Sequence, residues 1–159
     1  MIRRSKPTDC EYIIEILYEN SRWLDSRGIF QWPFDWMQAQ ESEITHEVSI
    51  GNYHVLEECD EIIGVVHLSS NYSVLWSDKT EAVYLSKLAI KRKSTGKRKG
   101  EELMLYAEQY TKGMGIDRIR LDCISENQKL NSYYSKLGFE WIREMQTPDV
   151  ELSLYEKLI

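Results

Sequence analysis

Val83-Tyr84-Leu85-Ser86-Lys87-Leu88-Ala89-Ile90-Lys91-Arg92-Lys93-Ser94-Thr95-Gly96-Lys97-Arg98-Lys99-Gly100 is the stretch that decides how this chain is read. An apolar, strand-like segment ends at Ile90, a run containing six Lys or Arg follows, and a helical pattern begins directly after it. Strand, glycine-bearing loop and helix in that order suggest a pocket for a polyphosphate. Glycines let the backbone approach a ligand closely, the N–H groups of a helix start point outward, and Lys and Arg supply countercharge. The six belong to 20 basic residues in all; the other 14 face 26 acids, a net charge of −12 outside the run. One small electropositive site on an acidic body favours a discrete anionic ligand over a long nucleic-acid track.

With 159 residues, 42% of them hydrophobic and 29% charged, the chain is expected to form one domain over residues 1–159. That length buries about two thirds of the unfolded surface. No apolar stretch approaches the roughly 20 residues that span a bilayer. Met1-Ile2-Arg3-Arg4 leads into polar sequence rather than a signal-peptide core, so a cytoplasmic protein without membrane contact is expected. Cys10, Cys59 and Cys123 are odd in number and far apart, which predicts reduced packing residues rather than a disulfide framework. His46, His54 and His67 lack ligand spacing with any acid or thiol; they read as surface or half-buried histidines, and no metal site is expected.

Ile2 to Lys6 reads as a short first strand. Thr8 stands three residues before Glu11, a capping-box spacing, and Ile13, Ile16, Leu17 and Leu24 recur at helical intervals, predicting a helix from about Asp9 to Ser26 that stops at Gly28. An aromatic segment, Phe30 to Trp36, precedes a second helix ending near His46. Tyr53 to Glu57 and Ile62 to Leu68, joined by Glu58-Cys59-Asp60, predict a hairpin. Glu81 to Ile90 is a longer strand, and a helix from about Lys99 to Lys112 follows. Arg118 to Cys123 alternates with Arg118, Arg120 and Asp122 on one face, predicting a strand with a polar side. Leu130, Tyr133, Tyr134 and Leu137 mark a short amphipathic helix closed by Gly138, and two strands, Trp141 to Met145 and Val150 to Leu158, finish the chain. The order is β-α-α-β-β-β-α-β-α-β-β, an α/β (α+β) chain with a mixed sheet of seven strands and four helices on both faces.

In that order, and in two motifs, the chain resembles the GNAT superfamily of acyl-CoA-dependent N-acetyltransferases. One motif is Leu88-Ala89-Ile90, then Gly96-Lys97-Arg98-Lys99-Gly100, then Leu103-Met104; the other is Asn127 followed by Tyr134-Ser135-Lys136-Leu137-Gly138-Phe139. Tyr84-Leu85-Ser86-Lys87, Arg120-Leu121-Asp122-Cys123, Tyr133-Tyr134, Trp23 and Gly28…Gln31-Trp32 resemble a bacterial subfamily of small acetyltransferases. The resemblance implies a mostly antiparallel sheet and acetyl-CoA as co-substrate. It implies that the strand ending at Leu88, Ala89 and Ile90 holds the pantetheine arm, with an N–H near Leu88 facing the thioester oxygen. The loop Thr95, Gly96, Lys97, Arg98, Lys99, Gly100 and on to Glu101 would hold the phosphates, with Asn127 beside the cofactor. Thr95 stands where the family usually has Gln or Arg, and Arg98 where it has its middle glycine. A non-glycine residue at positive φ costs about 1–2 kcal/mol.

Acetyl transfer needs a neutral amine, a stabilised oxyanion and a proton for the departing thiolate. Tyr134 matches the family's proton donor; a phenol of pKa about 10 is protonated at neutral pH and comparable in acidity to the thiol. From spacing alone it is equally a helix-face residue packed with Leu130 and Leu137. For the base, Tyr84 and Ser86 lie on the strand face shared with Leu88, yet neither is basic at neutral pH, so a water chain ending at Asp122 or Glu81 is the preferred reading. Asp122 has a structural alternative as partner of Arg118 or Arg120. Trp23, Trp32, Phe34 and Trp36 either sandwich the acceptor by cation–π contact or form the core of a lid.

The expected activity is transfer of an acetyl group from acetyl-CoA to a primary amine of a small molecule or peptide, by direct attack in a ternary complex. A non-catalytic acyl-CoA-binding or regulatory module stays open, motivated by Thr95 and Arg98. So does nucleic-acid binding through the basic run, which six charges against −12 elsewhere disfavour. The exposed last strand or the aromatic segment leaves room for a homodimer.

Overall fold

The start of the first helix shows how local charge decides a boundary. In the computed structural model, which describes residues 1–159, helix α1 (Cys10–Ser26) follows a 3-10 turn at Pro7–Asp9. The spacing of Thr8 and Glu11 predicts a capping box, but Asp9 takes that place. Its carboxylate accepts the Lys6 N–H at 2.7 Å and binds both guanidinium nitrogens of Arg3, at 2.7 and 3.1 Å. An ionised acceptor outcompetes a threonine hydroxyl for such donors. Ile13, Ile16 and Leu17 are wholly buried, as their spacing predicts, and Gly28 follows the helix end.

The second predicted helix is two: α2 (Phe34–Ala39) and α3 (Glu41–Ser49). Gln40 caps both, and its N–H bonds Met37 C=O at 3.1 Å, a tightened last turn that ends α2. Next come β2 (Tyr53–Glu58) and β3 (Glu61–Ser69), the expected hairpin, turning through Cys59 and Asp60 at φ 50° and 62°. Two left-handed residues give the turn whose twist matches paired strands. After β4 (Val83–Ile90), α4 (Lys99–Gly113), β5 (Arg118–Ile124) and α5 (Gln128–Lys136), the chain closes with β6 (Glu140–Gln146) and β7 (Glu151–Leu158); β1 is Ile2–Arg4. The mixed sheet has seven strands in the order β1-β2-β3-β4-β5-β7-β6; β2 runs antiparallel to β1 and β3, β7 runs antiparallel to β5 and β6, and β4 runs parallel to β5. Five α-helices accompany it, one more than expected.

The residues cluster into two units, Met1–Leu68 with Lys87–Ala107, and Ser69–Ser86 with Glu108–Ile159. In the first, strand alternation sends Tyr53, Val55 and Val65 to the side where Ile13, Ile16, Leu17, Met37, Ile44, Val48 and Ala89 pack. Each fully buried aliphatic side chain there contributes about 1.5–3 kcal/mol. The other side carries His54, Leu56 and Gly64. A Cβ on Gly64 would lie 2.7 Å from Ile90 Cδ1 and 3.2 Å from Leu103 Cδ1, so the missing side chain is what lets β3 lie this close to Ile90 and α4.

The second unit builds β5, β7 and β6 with α5. Ile119, Leu121 and Cys123 are buried as predicted, but the polar side of β5 is not open. Arg120 is only 3% exposed; it binds Asp78 at 2.5 and 2.9 Å and Glu156 at 2.7 Å, with the Trp76 ring 4.1 Å away. Two carboxylates and an aromatic face offset the desolvation of one guanidinium. Arg118 pairs with Asp117 and Glu156.

Candidate functional site

The predicted phosphate loop lies wholly in the first unit. A 3-10 turn at Arg92–Ser94 follows β4, Gly96 turns at φ +77°, Arg98 at φ +57°, and α4 begins at Lys99. Arg98 thus takes the left-handed conformation that glycine adopts without strain, at a cost of about 1 kcal/mol. The first intrahelical bond is Glu102 N–H to Arg98 C=O at 3.2 Å, which leaves the N–H groups of Lys99, Gly100 and Glu101 ahead of the helix ladder. The N–H groups of Gly96, Lys97 and Arg98 bond no carbonyl in the chain either. Donors so arranged at a helix start suit a phosphate. Thr95 turns away from this role: its N–H and Oγ1 both bond Arg92 C=O, at 3.3 and 2.9 Å.

The basic side chains are less available than the sequence implies. Lys91 and Lys93 both bind Glu61, at 2.8 and 2.7 Å; Lys99 binds Glu58 and Glu102; Arg98 binds Glu101 at 2.6 Å. Two strong lysine hydrogen bonds hold the Glu61 carboxyl at about 2, well below the usual range. The Arg92 guanidinium lies 3.6 Å from the Trp23 ring centroid, and the Arg92 backbone N–H donates to Glu19 Oε2 at 3.1 Å. Lys97 is exposed and makes no ion pair. The loop therefore offers backbone donors first and charge second.

Upstream, β4 is bent. Lys87 stands at φ +48°, and the regular burial alternation from Val83 to Ser86 breaks there. Tyr84, Ser86 and Leu88 are all half-buried, with the left-handed Lys87 between the last two. Leu88 is half-buried, and Ala89 and Ile90 are buried; the Ile90 carbonyl accepts Asn20 Nδ2 at 2.9 Å, and Lys91 N–H bonds Ile63 C=O at 2.8 Å. Tyr84 Oη lies 3.5 Å from Arg120 Nη1, and Ser86 is half-buried.

The aromatic segment is already occupied by the protein's own cations. Trp23 carries Arg92 and, at 5.3 Å, Arg27; Phe34 lies edge-on to Tyr18 and has Arg22 4.4 Å above it. Trp32 packs against the first unit's core. Trp36 is 43% exposed, with Lys87 Nζ 5.7 Å from its ring, and so keeps surface for another molecule. Of the histidines expected to be surface or half-buried, His67 is half-buried, but His54 is not. His54 is wholly buried, with Nδ1 2.8 Å from Tyr106 Oη, and burial lowers its pKa to about 4. His67 Nε2 lies 2.7 Å from Glu47 Oε2.

In the second unit, Tyr134 on α5 is 8% exposed and packs among Tyr133, Phe139 and Tyr155 at centroid distances of 5.5, 6.0 and 6.2 Å. Burial pushes its phenol above the ordinary value, with the nearby Cys123, Tyr133 and Asp122 adding in the same direction. It stays protonated at neutral pH, but the expected match with thiol acidity is not met in this state. Asn127 caps α5, its side chain accepting Leu130 N–H at 3.1 Å. Asn131, which the sequence reading passed over, bonds the carbonyls of Ile124 and Asn127 and accepts Tyr155 Oη at 2.7 Å, fixing α5 to β5 and β7. Asp122 is half-buried on β5, opposite Leu154.

Against known proteins, residues 15–139 match the model of the acetyltransferase (GNAT) family. The uncharacterized N-acetyltransferase YesJ of Bacillus subtilis is 31% identical over 140 residues, 84% of this chain and 78% of that protein. The chain belongs to the GNAT acetyltransferase family. The fold matches that of a GNAT-family acetyltransferase from Listeria monocytogenes with a TM-score of 0.84 at 26% identity, covering 100% of this chain and 94% of that one. The PaiA N-acetyltransferase of Thermoplasma acidophilum, solved in complex with coenzyme A, matches with a TM-score of 0.77 at 23% identity over 100% and 98%. Membership in the GNAT family makes this protein an acyltransferase. No helix is long and apolar enough to cross a membrane.

Proposed function

We propose that the protein transfers an acetyl group from acetyl-CoA to a primary amine by direct attack in a ternary complex, as one N-acetyltransferase domain over residues 1–159. The observation that carries this reading is the row of backbone donors from Gly96 to Glu101 at the start of α4, in a chain of the GNAT family. The coenzyme A bound to the structurally similar PaiA protein supports the choice of cofactor. In this reading Gly96, Lys97, Arg98, Lys99, Gly100 and Glu101 hold the pyrophosphate through their N–H groups. Leu88 to Ile90 line the pantetheine, and Asn127 supports the cofactor through the helix it caps. Acetyl-CoA supplies the thioester; Tyr134 gives a proton to the sulfur as the C–S bond breaks. Trp36 offers the acceptor an aromatic surface.

Nucleic-acid binding has less support, because four of the six cations in the run already bind carboxylates. The test is CoA release from acetyl-CoA over a panel containing a polyamine, an aminoglycoside, an amino acid and a peptide N-terminus. At least one should turn over, and Tyr134→Phe should lower kcat about 10²–10⁴-fold with acetyl-CoA affinity unchanged. CoA release no faster than in buffer for every amine would leave only a binding module.

A further inference from the structure

Helix α1 carries a polar side chain where its periodicity calls for an apolar one. Ile13, Ile16 and Leu17 form its buried stripe, and Asn20 continues that stripe, 8% exposed. A buried amide costs stability there unless its hydrogen bonds are made. Asn20 Nδ2 donates twice, to the Ile16 carbonyl of its own helix and to the Ile90 carbonyl at the end of β4, each at 2.9 Å.

The side chains next to it extend the contact along the loop entry. Glu19 Oε2 accepts the Arg92 backbone N–H at 3.1 Å, and the Trp23 ring, one turn further on, seats the Arg92 guanidinium at 3.6 Å. Glu19 and Asn20 stand four and three residues before Trp23, so the three occupy neighbouring surface of one helix. Between the two α1 contacts, Lys91 N–H donates to Ile63 C=O of β3 at 2.8 Å. Ile90, Lys91 and Arg92 are thus each pinned through a backbone group, to α1, β3 and α1 in turn. Ser94 N–H then bonds Lys91 C=O at 2.8 Å, closing the turn that leads to Gly96.

We infer that Glu19 and Asn20 are positioning residues for the cofactor, bracing the junction between the strand end that lines the pantetheine and the loop that holds the pyrophosphate. This rests on the N-acetyltransferase reading above. Pantetheine and pyrophosphate belong to one molecule, so the spacing between Leu88–Ile90 and the donors from Gly96 to Glu101 has to suit the ligand before it arrives. A loose junction would have to be ordered on binding, at the expense of affinity. A carboxylate beside a phosphate loop opposes an anionic ligand by its charge, so what Glu19 contributes is the hydrogen bond it accepts. Elsewhere on α1, Ser21 Oγ donates to Trp32 C=O at 2.8 Å and Asp25 accepts Phe34 N–H at 2.9 Å. Those contacts hold the aromatic segment and leave the junction alone.

The test is calorimetric titration of acetyl-CoA into the wild type, Glu19→Ala, Glu19→Gln, Asn20→Ala and Asp25→Ala. Glu19→Ala and Asn20→Ala should each weaken binding about 3–10-fold, as the loss of one hydrogen bond implies. Glu19→Gln should bind at least as tightly as the wild type, because its amide oxygen still accepts from Arg92 while a negative charge is gone. A purely electrostatic role would tighten binding in both Glu19 variants alike. Asp25→Ala should leave acetyl-CoA affinity unchanged, which separates the brace from a general loosening of α1. Should Asn20→Ala fail to fold, the half-exposed Glu19 decides through its two variants. Binding by Glu19→Ala no weaker than by Glu19→Gln, or equal weakening in Asp25→Ala, overturns the inference and leaves the transferase reading intact. Failure of the wild type to bind acetyl-CoA overturns both.

Discussion

His54 and His67 sit on the two strands of one hairpin, yet they face opposite sides of it and meet different partners. His54 on β2 is wholly buried and meets a neutral phenol, Tyr106 on α4. His67 on β3 keeps some solvent contact and meets a carboxylate, Glu47 on α3. Burial without a countercharge holds His54 neutral down to about pH 4; burial also lowers the basicity of His67, but there the Glu47 carboxylate works in the opposite direction. Alternation along the strands gives one histidine a neutral partner and the other a charged one.

The largest effect that could break this contrast is in pH-dependent stability. The folded state holds His54 neutral down to about pH 4, whereas the unfolded chain takes up that proton near 6.5. Between those values the unfolded state binds more protons, so stability is complete above about pH 6.5 and falls as pH drops towards 4, by about 3 kcal/mol. Urea unfolding of wild type and His54→Leu from pH 4 to 7 should show that slope flattened in the variant. An unchanged slope would mean that His54 is not the buried neutral group described.

Gly64→Ala probes the same face by packing. Its Cβ would meet Ile90 and Leu103, and a loss of about 1–3 kcal/mol is expected in chemical denaturation; a neutral outcome would show the face is not closely packed. Glu47→Gln, on the other face, should cost less, about 1 kcal/mol, because Asn52 and His67 retain an amide partner. A loss of about 3 kcal/mol or more would erase the contrast. Smallest of all, Trp36→Ala should leave stability within about 0.5 kcal/mol, as expected for an exposed side chain, yet raise KM for the acceptor amine. An unchanged KM would remove Trp36 from the acceptor side.

The β4–loop–α4 segment was legible because its evidence is local: apolar strand, glycines and helix onset are contiguous. Even the strain at Arg98 follows from a long side chain standing where a glycine is usual. The partners of the basic run were not legible. Glu61 and Glu58 come from the β2–β3 hairpin, about thirty to forty residues away, and no spacing rule connects them to Lys91, Lys93 or Lys99. The same holds for His54 with Tyr106 and His67 with Glu47, whose pairing depends on which strand face each helix covers. The bend at Lys87 escaped because nothing in a lysine calls for positive φ. The division of α2 from α3 escaped because helical periodicity runs through Gln40 without a glycine or proline to stop it. Asn127 carried a helix-start signal; Asn131, one turn later, differs from a surface asparagine only through carbonyls that tertiary structure brings to it.

The central claim is that backbone donors from Gly96 to Glu101 hold the pyrophosphate of acetyl-CoA. Calorimetric titration of acetyl-CoA into the wild type and into Lys97→Ala/Arg98→Ala/Lys99→Ala tests it most directly. The account predicts a Kd on the order of 1–100 μM for the wild type, and only a several-fold weakening in the variant, whose backbone donors remain. No detectable binding by the wild type would contradict it.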